Sequence, residues 1–157
     1  LKITVIVIGK TVNGFISQGI DEYMKRLKRY IKTEFVVLPD IKNSKNLSID
    51  QLMIKEEELL LDAIGSQSDI FLLDEQGLEY SSVELSQFIQ GKMISGSKEL
   101  TFIIGGAYGV TKKVKQRAMG MIALSRLTFS HQMVRLILAE QIYRAMTIIK
   151  GEPYHHQ

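Results

Sequence analysis

The sequence predicts an α/β fold: a mostly parallel sheet with helices on both faces. Three observations carry that expectation. Apolar, β-branched runs alternate five times with longer amphipathic stretches, and several of those stretches carry capping residues at their ends. The third is length. At 157 residues the chain suits one core, so residues 1–157 are read as a single domain, with no internal repeat, low-complexity segment or linker.

The first strand, 2–9, lies in "LKITVIVIG", an apolar run far too short to span a membrane and followed by no small-residue cleavage pattern. A helix follows over 14–31 and a second strand over 34–38. "DIKNSKN" at 40–46 is the expected mobile loop. Ser48 then opens a helix over 48–65 that Gly65 stops. A strand at 69–74 leads to a helix over 81–94 opened by Ser81 or Ser82. Strand 100–105, helix 111–119, strand 120–124 and helix 131–149 complete the series, and Gly151 with Pro153 ends the last helix. In such a fold a ligand is expected beyond the carboxyl ends of the strands.

Composition excludes several chemistries. Without cysteine there is no disulfide framework, no cysteine-zinc site and no thiolate mechanism, a composition that suits the cytoplasm. The net charge of +3 is unevenly spread. Residues 1–50 carry nine Lys/Arg against five Asp/Glu, residues 51–100 three against ten, and residues 101–157 eight against two. Basic ends that also hold glycine-rich and polar turns favour a polyanion such as RNA, although solvated helix faces would look the same.

Four motifs bear on function. "IGKT" at 8–11 invites a phosphate-loop reading, but the glycine that pattern needs five residues before Gly9 is Thr4. "TFIIGGAYGV" at 101–110 runs a strand into Gly105, Gly106 and Gly109, where a ligand or another backbone can approach closely. "FLLDEQG" at 71–77 ends a strand at a turn carrying Asp74 and Glu75. "LSRLTFSH" at 124–131 leads through a capping Ser130 into a helix apolar on nearly every side, so something further is expected to cover it. His131 and Arg135 lie four apart on one face of that helix. Glu140 and Arg144, also four apart, read as an ion pair. The tail "GEPYHHQ" offers Tyr154, His155 and His156 but no third metal ligand at a useful spacing, so no metal is expected.

"FLLDEQG", "FIIGGAYG", "LSRLTFSHQMVRLILAEQIYRA" and "GEPYH", taken in order, closely resemble the bacterial RlmH-type methyltransferases of the SPOUT superfamily, and the similarity spans essentially the whole chain. That resemblance implies a C-terminal trefoil knot, S-adenosylmethionine bound within it and an obligate homodimer. It also implies a substrate: N3 of a pseudouridine in helix 69 of 23S rRNA, met on the assembled ribosome. Carried over by position, cofactor contacts fall on Leu73, Gly105, Leu124, Ser125, Arg126, Leu127, Thr128 and Phe129, with Arg126 contributing backbone rather than charge. The active-site set is His131, Arg135, Tyr154 and His155, with Tyr143 and Arg144 on the substrate side. His131 is the expected base or orienter, and Arg135 and Arg144 the expected holders of phosphate or ring carbonyls. Lacking cysteine, the chain would use direct displacement. Two other readings share the same loops: a relative acting on tRNA, and a ribosome-associated dimer without catalysis.

Overall fold

β1 (Lys2–Ile8) is buried from Ile3 onward because it has a parallel partner on each edge and apolar side chains for both faces. Ile3, Val5 and Val7 point into one core, and Ile6 and Ile8 into the other. The computed structural model describes residues 1–155. His156, the tail's second histidine, lies outside the described residues.

After β1 come α1 (Gly14–Leu27), β2 (Lys32–Leu38), a 3-10 turn at Ser44–Asn46, α2 (Ile49–Ala63), β3 (Ser68–Glu79) and α3 (Ser82–Ile94). They are followed by β4 (Glu99–Ile104), α4 (Lys112–Arg117), β5 (Gly120–Ala123) and α5 (Met133–Ile149). The sheet is wholly parallel, in the order β2-β1-β4-β3-β5. The chain therefore steps leftward through α1 and α3 and rightward through α2 and α4. A right-handed crossover places opposite steps on opposite faces. The cores agree: Leu27, Leu85 and Ile89 of α1 and α3 pack on one face, Leu60 and Val114 of α2 and α4 on the other.

The alternation is as expected, with local shifts that have physical reasons. α1 stops at Leu27, whose carbonyl accepts from Tyr30 and Ile31, and buried Ile31 turns the chain into β2 two residues early. β3 runs five residues further than expected, with an irregular register between Leu73 and Leu78. There Gly77 presses on the Ile122 backbone at 2.5 Å from where a Cβ would sit. α2 and α3 each start with a complete capping box, Ser48 with Gln51 and Ser81 with Glu84. The expected loop at 40–46 contains a 3-10 turn entered through Asn43 in left-handed conformation.

α5 is the helix whose covering the sequence left open. It lies on the sheet with α1 and α3 beside it, and Leu138, Ala139, Ile142, Ala145 and Met146 are buried within this chain. Gly19 of α1 allows close approach, since a Cβ there would sit 2.7 Å from Leu136. One stripe remains half-buried: Met133, Ile137, Glu140, Gln141, Arg144 and Ile148. Most of the apolar surface is thus covered in cis, and only that stripe is left for anything else.

Ile142, fully buried in the intrachain core, tests this packing. Ile142→Glu should unfold the chain itself, by about 4 kcal/mol or more. Circular dichroism showing a cooperatively folded variant would contradict the packing described.

Candidate active site

Five strands end on one edge of the sheet, and the loops leaving β3, β4 and β5 enclose a cavity of about 430 Å³ there. β3 and β4 are adjacent but send their following helices to opposite faces, which opens a crevice between their carboxyl ends. The β4 loop is shaped by its own backbone. Gly109 N–H donates to the Gly106 carbonyl, and Gly109 is left-handed at φ +80°. A Cβ on Gly105 would lie 2.9 Å from the Gly109 carbonyl and 2.8 Å from Val110. The glycine that seemed to make way for a ligand therefore makes way first for its own loop.

The β3 loop offers Asp74. Burial pushes its carboxyl up, but the Gln76 N–H and the Lys115 ammonium outweigh that and hold it below the ordinary range. After β5, Ser125 Oγ accepts from Leu127 N–H, Thr128 donates to Glu75, and Ser130 Oγ accepts from Met133 N–H to start α5. Ser130 is the cap the sequence pointed to.

Seven of the eight residues expected to hold the cofactor line this cavity: Leu73, Gly105, Leu124, Ser125, Leu127, Thr128 and Phe129. The side chain of Arg126 points away, 90% exposed and paired with Glu79 at 3.3 Å. Gly106, read from the sequence as a point of close approach, is in the same wall, and sequence reasoning missed Ile104, Ala107, Ile122 and Val134. Ile104 and Ile122 lie in the ends of β4 and β5, where adjacency in the parallel sheet was the signal. The wall suits S-adenosylmethionine: apolar side chains and free backbone for an adenine, and an acidic rim of Asp74 and Glu75 for an ammonium and a sulfonium.

Of the expected active-site residues, His131 lies at this cavity and Arg135 does not face it. Arg135 is fully buried and acts as an internal strut. Its guanidinium donates to the carbonyls of Gly9 at 2.8 Å, Ile8 at 2.6 Å and His131 at 3.0 Å, and to Thr11 Oγ1 at 3.2 Å. The expectation that it holds phosphate or a base carbonyl is corrected: its donors are committed to the end of β1. Asp40 stands against Gly9, where a Cβ would collide with its Oδ1. Burial, then the Arg135 charge, holds the His131 imidazole below the ordinary histidine range, with Asp40 pulling the other way.

Tyr154 and His155 are found at the far end of α5. Its 17 residues separate them from His131 by roughly 25 Å. Tyr154 donates to Glu140, its ring meets Tyr143 edge-on at 4.8 Å, and the Arg144 guanidinium covers it at 4.7 Å. Arg144 pairs with Glu140, the ion pair read from spacing, and reaches His155 Nδ1 at 3.4 Å. The four expected active-site residues are therefore not brought together within one chain. Among the described residues no group of three or more His, Asp or Glu could hold a metal, and no helix is long and apolar enough to cross a membrane.

The basic ends are partly neutralised from within. Lys2 pairs with Glu99, Lys113 with Glu57, Lys115 with Asp74 and Arg126 with Glu79, each joining a basic end to the acidic middle.

Comparison with known proteins gives a consistent result. A family model described as "Predicted SPOUT methyltransferase" matches residues 1–155. Among similar proteins, one from Flavobacterium johnsoniae is 50% identical and one from Flavobacterium psychrophilum 51%, each over 157 residues and the whole of both chains. One from Cytophaga hutchinsonii is 49% identical over 156 residues, 99% of this chain and 100% of its own. Each is named ribosomal RNA large subunit methyltransferase H.

The strut makes its own prediction. Arg135→Ala should lower stability by about 3–5 kcal/mol by stranding the Ile8 and Gly9 carbonyls. Arg135→Lys should fail to restore it, having no planar fork. Urea midpoints within a few tenths molar of wild type would remove Arg135 from this role.

Proposed function

The chain belongs to the SPOUT methyltransferase family, and from that premise we propose that it methylates N3 of a pseudouridine in helix 69 of 23S rRNA, on the assembled ribosome, using S-adenosylmethionine. The observation that carries the cofactor assignment is the cavity at the carboxyl edge, walled by seven of the eight residues expected to hold it. The trefoil knot belongs to the same reading.

Bound in that cavity, S-adenosylmethionine supplies a methyl group already activated by its positive sulfur. The chain must then hold the acceptor nitrogen in line and take its proton. We assign the second task to His131. It lies in the cavity wall, and its depressed basicity keeps it neutral, and so able to accept a proton, through physiological pH. Arg135 serves by fixing the backbone from which His131 projects.

Tyr154, His155 and Arg144 enter through a second copy. They stand about one helix length from His131 in their own chain, and the uncovered stripe of α5 is the surface along which two copies could lie. A two-fold pair with α5 antiparallel would carry each tail toward the partner's cavity. The tail is already held for that: Tyr154 is pinned by Tyr143, Arg144 and Glu140, and its hydroxyl is pushed well above the ordinary tyrosine range by burial first, then by Tyr23 and Glu140.

Mass mapping of 23S rRNA from a strain lacking the gene, with and without its restoration, tests the function; an unaltered modification pattern rejects it. His131→Ala should slow single-turnover methylation by roughly 100-fold with S-adenosylmethionine affinity unchanged, and its residual rate should rise with pH. Because the His131 pKa is lowered, the acid limb of the wild-type profile should fall below about pH 6.5. An acid limb above that value, or a variant as fast as wild type, leaves His131 as packing alone. Ile137→Glu, on the half-buried stripe, should leave a folded monomer that methylates at least about tenfold more slowly. A wild-type protein that sediments as a monomer at micromolar concentration contradicts the dimer.

A further inference from the structure

A second cavity, of about 150 Å³, opens on the same edge between the ends of β1 and β4. It shares Gly106, Ala107 and His131 with the larger one, and Asp40, Ser44 and Glu56 stand among its other walls. Glu56 is anomalous. It is only 8% exposed, and its Oε2 has no hydrogen-bond partner among the described residues. An unsatisfied buried carboxyl oxygen is destabilising. The position lies on the inward stripe of α2 between Leu52 and Leu60, where leucine would pack without that cost. Residues that sacrifice stability in this way concentrate at functional sites.

The carboxyl packs against the shared wall at Gly106 and lines the smaller cavity. Gly106 presents only a Cα to it: a Cβ there would lie 2.6 Å from Oε2 and 2.7 Å from Oε1. Asp40, the other acid of the wall, has the Arg135 charge nearby, whereas the charge felt by Glu56 is that of Asp40. Burial first, then Asp40, pushes the Glu56 carboxyl up, toward its neutral form. A neutral carboxyl presents an acceptor C=O beside a donor O–H.

We propose that this smaller cavity seats the target base and that Glu56 reads it, accepting the N1–H that a pseudouridine carries and a uridine lacks. The inference rests on the methyltransferase reading above. The two cavities meet at Gly106, Ala107 and His131, so a base seated in the smaller one stands beside the cofactor cavity, and a cavity of about this volume holds a six-membered ring. Uridine's ring is bonded to ribose through N1, so its one N–H is at N3, the atom to be methylated. Pseudouridine is bonded through carbon. With N3 turned to the donor, its N1–H and the neighbouring C2 carbonyl form a free donor–acceptor edge. That edge complements the acceptor oxygen of Glu56 and the O–H that a protonated carboxyl adds.

The test compares ribosomes from an ordinary strain with ribosomes carrying uridine at the target, taken from a strain without the pseudouridine synthase. Single-turnover methyl incorporation is read on each, with S-adenosylmethionine affinity by calorimetry. Wild type should prefer pseudouridine by at least about tenfold, the worth of one lost hydrogen bond to a buried group. Glu56→Leu should bring the two rates within about twofold by losing rate on pseudouridine alone, with cofactor affinity unchanged. Glu56→Gln keeps an acceptor and a donor and should retain most of the preference. A Glu56→Leu protein that binds S-adenosylmethionine and keeps the wild-type preference overturns the proposal. So does a wild type without preference, a measurement that needs no variant to fold. If wild type methylates neither ribosome, the underlying reading fails, an outcome distinct from equal methylation of both.

Discussion

The carboxyl edge of this sheet depends on one buried guanidinium. Arg135 spends its donors on the carbonyls of Ile8, Gly9 and His131 and on the Thr11 hydroxyl, so β1, the turn after it and the first turn of α5 become one rigid piece. A buried arginine is destabilising unless its N–H groups are met, and here backbone carbonyls, rather than a carboxylate ion pair, meet them. The consequences spread outward. The turn at Gly9 can be left-handed and pressed by Asp40 because the carbonyls on either side of its Cα are tied down, and His131 projects from backbone that cannot drift.

The two cavities follow from the order of strands. β4 is central, and its loop is thin at Gly106, which lines both cavities and puts no side chain between them. Each glycine faces something that tolerates no Cβ: Gly105 the returning backbone at Gly109, Gly106 the carboxyl of Glu56. Small residues here do not record flexibility. They set the thickness of a partition.

Much of this was legible in the chain. The 2-residue and 3.6-residue periods give strands and helices their places, because burying alternate residues of a strand and one stripe of a helix is what drives both to form. Ser48, Ser81 and Ser130 announce helix starts through hydroxyls that meet otherwise unpaired N–H groups. Arg135 was misread because spacing alone puts it beside His131 and says nothing of the β1 carbonyls more than 120 residues away. Yet its position three residues before Leu138 and seven before Ile142 lies on the buried stripe. Glu56, within "KEEE", was not singled out, although its spacing of four from Leu52 and Leu60 marks it as inward. For both residues the helical period carries the information that residue type does not. The separation of Tyr154 from His131 came only with the length of α5 in space.

The strand order also dictates when this chain can become itself. Ile3 stands opposite Leu100 and Val5 opposite Phe102, so one edge of β1 waits for nearly a hundred further residues before it is paired. α5, which follows all five strands, carries Arg135, whose bonds close loops of more than 120 residues. Closing loops that long is entropically slow, and a nascent chain stalled before α5 presents an uncovered apolar sheet face and unpaired strand edges. A truncated product of this gene is therefore an aggregation-prone fragment rather than a smaller domain. Vectorial synthesis must hand the whole chain over before any part of it is safe.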